Sequence, residues 1–148
     1  MIIMHKLTLV SSIIKLGWCR NFSKQITLSY KAPNFIIIGA SKCGTTFLYK
    51  YLNYHPQILL ANKKELRFFD EHFQRGHEWY LAQFPSFGDR SELLTGEASP
   101  SYLFSHHVAQ RIKDFAPQTK LFVMLRNPVE RTIYNYYQNK KLAIAKIP

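Results

Sequence analysis

Residues 34–52, "NFIIIGASKCGTTFLYKYL", constrain this chain more than any other stretch. "NFIIIG" is a short β-branched run bounded by turn residues, the pattern of a buried parallel strand. A turn with glycines at 39 and 44 follows, and Phe47, Leu48, Tyr51 and Leu52 then share one helical face. Such a strand–turn–helix leaves the first helical N–H groups unpaired, with the helix dipole aimed at the turn, which makes an anion site. Gly39 and Gly44 let the backbone close around an oxyanion, and Thr45 and Thr46 add hydroxyl donors. The nucleoside-triphosphate loop puts Lys directly after its second glycine. Here Thr45 stands in that place, and the loop's lysine is Lys42, inside the turn. Taken alone, the stretch is also compatible with a junction that holds no ligand.

The remaining pattern alternates. Pro33 opens the ordered part, His55-Pro56 ends the first helix, and "QILLA" (57–61) reads as a second strand. Residues 63–73 form a loop with a helical turn, and 76–85 a short helix stopped by Pro85. Residues 92–104 begin as a strand and break at Gly96. Residues 105–117 form an amphipathic helix with Ser105 as N-cap and Val108, Ile112 and Phe115 on one face. "KLFVMLRNP" (120–128) is a second buried strand, and Pro128 opens a last helix. Strands alternating with helices indicate an α/β layer with a parallel sheet.

A length of 148 residues suits one domain, and 47% hydrophobic with 15% aromatic residues excludes global disorder. The net charge of +11 points to an anionic partner: nucleotide, sulfated or phosphorylated substrate, nucleic acid or membrane surface. Lys6, Lys15, Arg20, Lys24 and Lys31 lie in the first 31 residues, which hold no acid. Residues 1–32 therefore read as a basic leader, a surface helix or flexible extension suited to peripheral membrane contact. Its longest uncharged run, Leu7 to Ile14, is far short of a spanning helix, and no small-residue cleavage site follows. Cys19 and Cys43 offer neither a disulfide framework nor metal-ligand spacing. His106 and His107 point in different directions on a helix and have no third ligand, so no metal is expected. Nucleic-acid binding would rest on charge alone, without a groove helix or stacked aromatics, so no nucleic-acid partner is expected.

The strand over 120–125 ends in Arg126, where a metal-dependent phosphotransferase would carry an Asp. This is a phosphate loop without a magnesium site, which argues against a kinase. "GASKCGTTFLYKYLNYHPQI", followed by "LRNPVER", resembles the sulfotransferases that use 3′-phosphoadenosine 5′-phosphosulfate. "KELRFFD", "GHEWYLAQFP" and "GEASPSYL" resemble their heparan-sulfate-type branch and its bacterial relatives, and the likeness covers residues 34 to about 141. It implies a P-loop-like three-layer fold with a parallel sheet. It also implies that Lys42, Cys43, Gly44, Thr45 and Thr46 hold the 5′-phosphosulfate, with Lys42 at the bridging oxygen, and that Arg126 holds the 3′-phosphate. The bland reading of Arg126 is a salt bridge to Glu130. Where the family has a Ser eight residues after this Arg, the chain has Tyr134, with Arg131 the nearest alternative cation. Cys43 is otherwise a small filler in the loop.

Glu65, before the aromatic pair Phe68-Phe69, matches the family's general base. Desolvation by those rings would favour its uncharged form, although Lys63, Lys64 and Arg67 also make an exposed charged turn possible. The rings themselves read as core. Ala98 stands where heparan enzymes carry a Lys, and Arg67 where they carry a His. Both departures point away from a heparan acceptor and toward another hydroxyl or amine, on a carbohydrate or small molecule. The family's domain is longer, so residues 33–148 read as its N-terminal portion, truncated after the 3′-phosphate strand and helix. Two functions follow: a sulfotransferase, active or inactive as this short chain, or a non-catalytic basic module that binds a nucleotide anion. Like its bacterial-type relatives, such a protein belongs in the cytosol, where the donor is made.

Overall fold

The computed structural model describes residues 31–86 and 92–144. Four strands, β1 (Phe35–Gly39), β2 (Ile58–Leu60), β3 (Leu94–Ala98) and β4 (Lys120–Val123), form one parallel sheet in the order β2-β3-β1-β4. Four helices connect or follow them: α1 (Thr45–Leu52), α2 (Gly76–Leu81), α3 (His106–Phe115) and α4 (Pro128–Ile144). Single 3₁₀ segments span Phe73–Arg75 and Pro100–Phe104.

Side chains on a strand alternate between faces, and β1 uses both. Phe35 and Ile37 join Leu60 and Ala98 in a core under Leu48, Tyr49 and Leu52 of α1. Ile36, with Ile38 beside it, packs on the opposite face against Phe68, Phe69, Tyr80, Phe84, Tyr102, Val108 and Ile112. The result is three layers: α1, the sheet, then α2 and α3. Asn34 stitches the strand starts together. Its N–H donates to the Thr95 carbonyl, its side-chain oxygen accepts from the Thr95 N–H, and its carbonyl accepts from the Lys120 N–H, each at 2.8 Å.

Four sequence expectations are corrected here. Gly96 does not break β3 but lies within it, because the Phe35 ring rests on it: a Cβ at 96 would sit 2.3 Å from that ring. Ser105 occupies the N-cap position of α3 with extended backbone, yet its side chain caps no N–H. The strand from Lys120 closes at Val123, and all four of its residues are exposed. It forms an edge of the sheet, and among the described residues nothing pairs with its outer side. The helix expected over 76–85 stops at Leu81, four residues before Pro85. The basic leader, apart from its last two residues, lies outside the described residues. Among the described residues no helix is long and apolar enough to cross a membrane.

Candidate active site

Ligands of open parallel α/β sheets bind beyond the carboxyl ends of the strands. All four strands point their carboxyl ends at one pocket of about 400 Å³. The segment after β1 contributes Ser41, Lys42, Gly44, Thr45, Thr46 and Phe47; the one after β2 contributes Lys64 and Glu65. Pro100 follows β3, Arg126 follows β4, and Tyr134 and Gln138 come from α4.

The loop after β1 is shaped by two left-handed residues, Lys42 at φ 69° and Gly44 at φ 91°. Gly44 is the N-cap of α1, and its carbonyl accepts the first helical bond, from the Leu48 N–H at 3.1 Å. The N–H groups of Thr45, Thr46 and Phe47 precede that bond and have no intrahelical acceptor. They face the pocket side of a helix with no acid in its first turn, so an anion meets both the free donors and the dipole. The loop is held from outside by Arg131, whose Nε donates to the Ser41 carbonyl at 2.9 Å. Arg131 is thus a brace for the loop and not a second cation in the pocket wall.

The other expected site residues divide. Lys42, Gly44, Thr45, Thr46, Glu65, Arg126 and Tyr134 line the one pocket. Cys43 does not: it is buried, its N–H bonds the Ala40 carbonyl at 3.2 Å, and its thiol faces the Ser41 carbonyl. Arg126 makes the ion pair with Glu130, Nε to Oε2 at 3.1 Å, while its guanidinium lies 5.6 Å from the Tyr134 ring centre. The salt bridge and the pocket position coexist, because Arg126 remains 42% exposed. Glu65 bonds Lys64 at 2.6 Å and is 53% exposed. The apolar surroundings expected for it are absent, since Phe68 and Phe69 turn fully into the core. Arg67 turns toward Asp70 and Glu71 and away from the pocket. His106 and His107 are exposed, and no metal-ligating cluster occurs among the described residues.

Sequence reasoning missed three groups. Lys64 joins the pocket wall beside Glu65, as a third cation with Lys42 and Arg126. Gln138, one turn beyond Tyr134, lines the pocket with a side-chain oxygen that has no partner. Its i+4 spacing from Tyr134 was the available signal. Glu97 is the third: the carboxylate of "GEASPSYL" is fully buried behind the pocket and receives three hydroxyl donors. Tyr80 and Tyr102 donate to Oε1 at 3.0 and 2.9 Å, and Ser99 donates to Oε2 at 2.8 Å. Burial pushes its pKa up to about 7 against the pull of these donors, with Asp70 adding a smaller upward push.

Residues 32–148 match the family model described as "Sulfotransferase domain". The chain belongs to the sulfotransferase family. Membrane-associated sulfotransferase kil1 of Dictyostelium discoideum is 42% identical to this chain over 106 residues, which is 71% of the chain and 22% of the relative. Heparan sulfate glucosamine 3-O-sulfotransferase 6 of Homo sapiens is 39% identical over 106 residues, 72% of the chain and 30% of the relative. A crystal structure of a sulfotransferase from Alicyclobacillus acidocaldarius superimposes with a TM-score of 0.64 at 38% identity, covering 75% of this chain and 51% of that one. The chain therefore spans under a third of the length of those curated relatives, and it shares the α/β sulfotransferase fold.

Proposed function

We propose that this sulfotransferase uses 3′-phosphoadenosine 5′-phosphosulfate as donor and transfers its sulfuryl group to a hydroxyl or amine. One observation carries the reading: a single pocket joins an anion-binding helix start, Lys42, Arg126 and the carboxylate Glu65. The donor has two anionic ends, and the pocket has two basic ones. Its volume of about 400 Å³ falls within the usual range for small-ligand sites.

The free N–H groups of Thr45, Thr46 and Phe47 and the threonine hydroxyls hold the 5′-phosphosulfate. Arg126 holds the 3′-phosphate, a task that suits a planar guanidinium, and Tyr134 lends a phenol donor where relatives have a Ser. Glu65 accepts the acceptor's proton as its oxygen or nitrogen bonds to sulfur. Lys42 stabilises the charge that grows on the bridging oxygen as its bond to sulfur breaks. The products are the sulfated acceptor and 3′-phosphoadenosine 5′-phosphate.

Curated relatives carry names that specify heparan sulfate glucosamine. Ala98 is fully buried and offers no basic group, and the Arg67 guanidinium is turned to Asp70 and Glu71 and away from the pocket where an anionic sugar chain would lie. A different carbohydrate or small-molecule acceptor fits better. A second reading, donor binding without catalysis, is favoured by the Lys64–Glu65 pair, which ties up the base. Radiolabelled sulfate transfer from the donor to a panel of sugar, phenol and amine acceptors separates the two. Transfer to a non-heparan acceptor is the expected result. Binding without transfer to any acceptor contradicts catalysis and leaves the binding module.

A further inference from the structure

We propose that Glu97 is a positioning residue that holds the turn carrying Glu65, acting through the hydroxyls of Ser99 and Tyr102. This rests on the reading of Glu65 as the base of the proposed reaction. The turn needs holding, because Glu65 and Arg67 both adopt left-handed backbone, φ 61° and 51°, which non-glycine residues keep only when their surroundings impose it. It is tied down by four N–H groups. The Glu65 N–H donates to the Ala98 carbonyl at 2.9 Å, and the Arg67 N–H to Ser99 Oγ at 3.1 Å. The Phe68 and Phe69 N–H groups both donate to Tyr102 Oη, at 2.9 and 3.3 Å.

A hydroxyl accepts freely only when its own proton is committed elsewhere. Ser99 and Tyr102 commit theirs to Glu97, which leaves their lone pairs for the three backbone donors. An ionised carboxylate is acceptor-only and fixes this direction. Once protonated, it must itself donate, and two of its three hydroxyl partners, Ser99 and Tyr102, offer oxygens already used by the turn, Tyr80 being the third. Glu97, Ser99, Tyr102, Phe68 and Phe69 are buried, the Arg67 bond only partly so, and an unmet donor among the buried members is costly. The turn is therefore held best with Glu97 ionised and is loosened as Glu97 gains its proton.

Several groups face Glu97. Tyr80 comes from α2, Tyr102 from the Pro100–Phe104 segment, and Asp70 from the turn itself. Tyr49 of α1 lies close enough to have its own pKa raised, first by burial and then by the Glu97 charge. Arg111 of α3 donates to the Phe69 carbonyl at 2.6 Å, and His77 of α2 packs 5.8 Å from the Phe68 ring. Replacing His77 by Asn is the control for an effect that arises on the far side of the aromatic layer.

Residue-resolved amide exchange on the full chain tests the proposal. In wild type, protection of the 67–69 amides should rise between about pH 6 and pH 8, on either side of the Glu97 pKa of about 7. In Glu97→Gln it should fall roughly tenfold and lose this pH dependence. Ser99→Ala should expose the Arg67 amide alone, and Tyr102→Phe the Phe68 and Phe69 amides alone; these milder variants decide if Glu97→Gln does not fold. Unchanged 67–69 amides in both milder variants, or equal loosening of β1 and β3, would overturn the proposal. Titration with 3′-phosphoadenosine 5′-phosphate is a separate readout: Glu97→Gln should bind it as wild type does, while Lys42→Ala should bind it more weakly. Failure of wild type to bind would count against the donor site and leave the amide pattern to judge Glu97.

Discussion

Lys42 and Gly44 give the loop its shape through left-handed backbone, but they do so at different cost. At φ 91°, Gly44→Ala introduces strain of about 1–2 kcal/mol, and urea unfolding should record that loss together with weaker anion binding. Lys42→Ala should lower sulfuryl transfer by about 10²- to 10³-fold, the scale for removing a group that acts on developing charge, with a smaller effect on donor affinity. Single-turnover transfer alongside equilibrium binding separates the two effects. Lys42, Gly44, Thr45 and Thr46 were legible from the glycine spacing of the loop, Arg126 and Glu65 only through the family resemblance, and one pocket gathers all six. Motif membership does not say which way a side chain turns, and the Cys43 thiol turns inward from the loop. The role of Arg131 was illegible for the same reason: its bond to the Ser41 carbonyl spans ninety positions.

At the scale of elements, β3 shows what sequence reasoning cannot see. A glycine inside an apolar run is ordinarily a break signal, yet Gly96 is there because Phe35 of the neighbouring strand needs the space. Gly96→Ala should therefore destabilise the fold by about 1–3 kcal/mol through overpacking, and a paired Phe35→Leu change should recover part of that in thermal unfolding. The next residue, Glu97, was read only as part of a motif, since its three partners come from α2, the 3₁₀ segment and its own strand end. Its burial has a signed consequence. The folded-state pKa, about 7, lies above the ordinary value of 4.5, so the folded chain binds this proton more tightly than the unfolded one. The resulting stability is fully present below pH 4.5 and is lost as pH rises through about 7, by about 3 kcal/mol at most. The melting temperature should fall from pH 5 to pH 8, and Glu97→Gln should flatten that slope. The ionised form that best orders the 65–69 turn is thus the less stable one.

Across the whole molecule, the sheet order β2-β3-β1-β4 brings four carboxyl ends to one pocket, an order that alternation of strands and helices does not specify. The α/β class with a parallel sheet was legible because the buried runs and the amphipathic helix announce it, the three layers being what the family resemblance implied; the exposure of β4 was not, since "KLFV" reads as core. Leu121, Phe122 and Val123 of β4, with Leu125, Val129, Ile133, Tyr136 and Tyr137 beyond it, are exposed. An apolar edge strand of this kind promotes pairing with other chains. Sedimentation velocity should find self-association that rises with concentration, and Phe122→Lys should reduce it. The central claim is that this pocket holds a nucleotide with two anionic ends, and calorimetric titration with 3′-phosphoadenosine 5′-phosphate tests it most directly. The account predicts saturable binding by the folded wild-type chain, weakened about tenfold or more in both Lys42→Ala and Arg126→Ala. No heat of binding from folded wild type, or equal affinity in all three proteins, would contradict it.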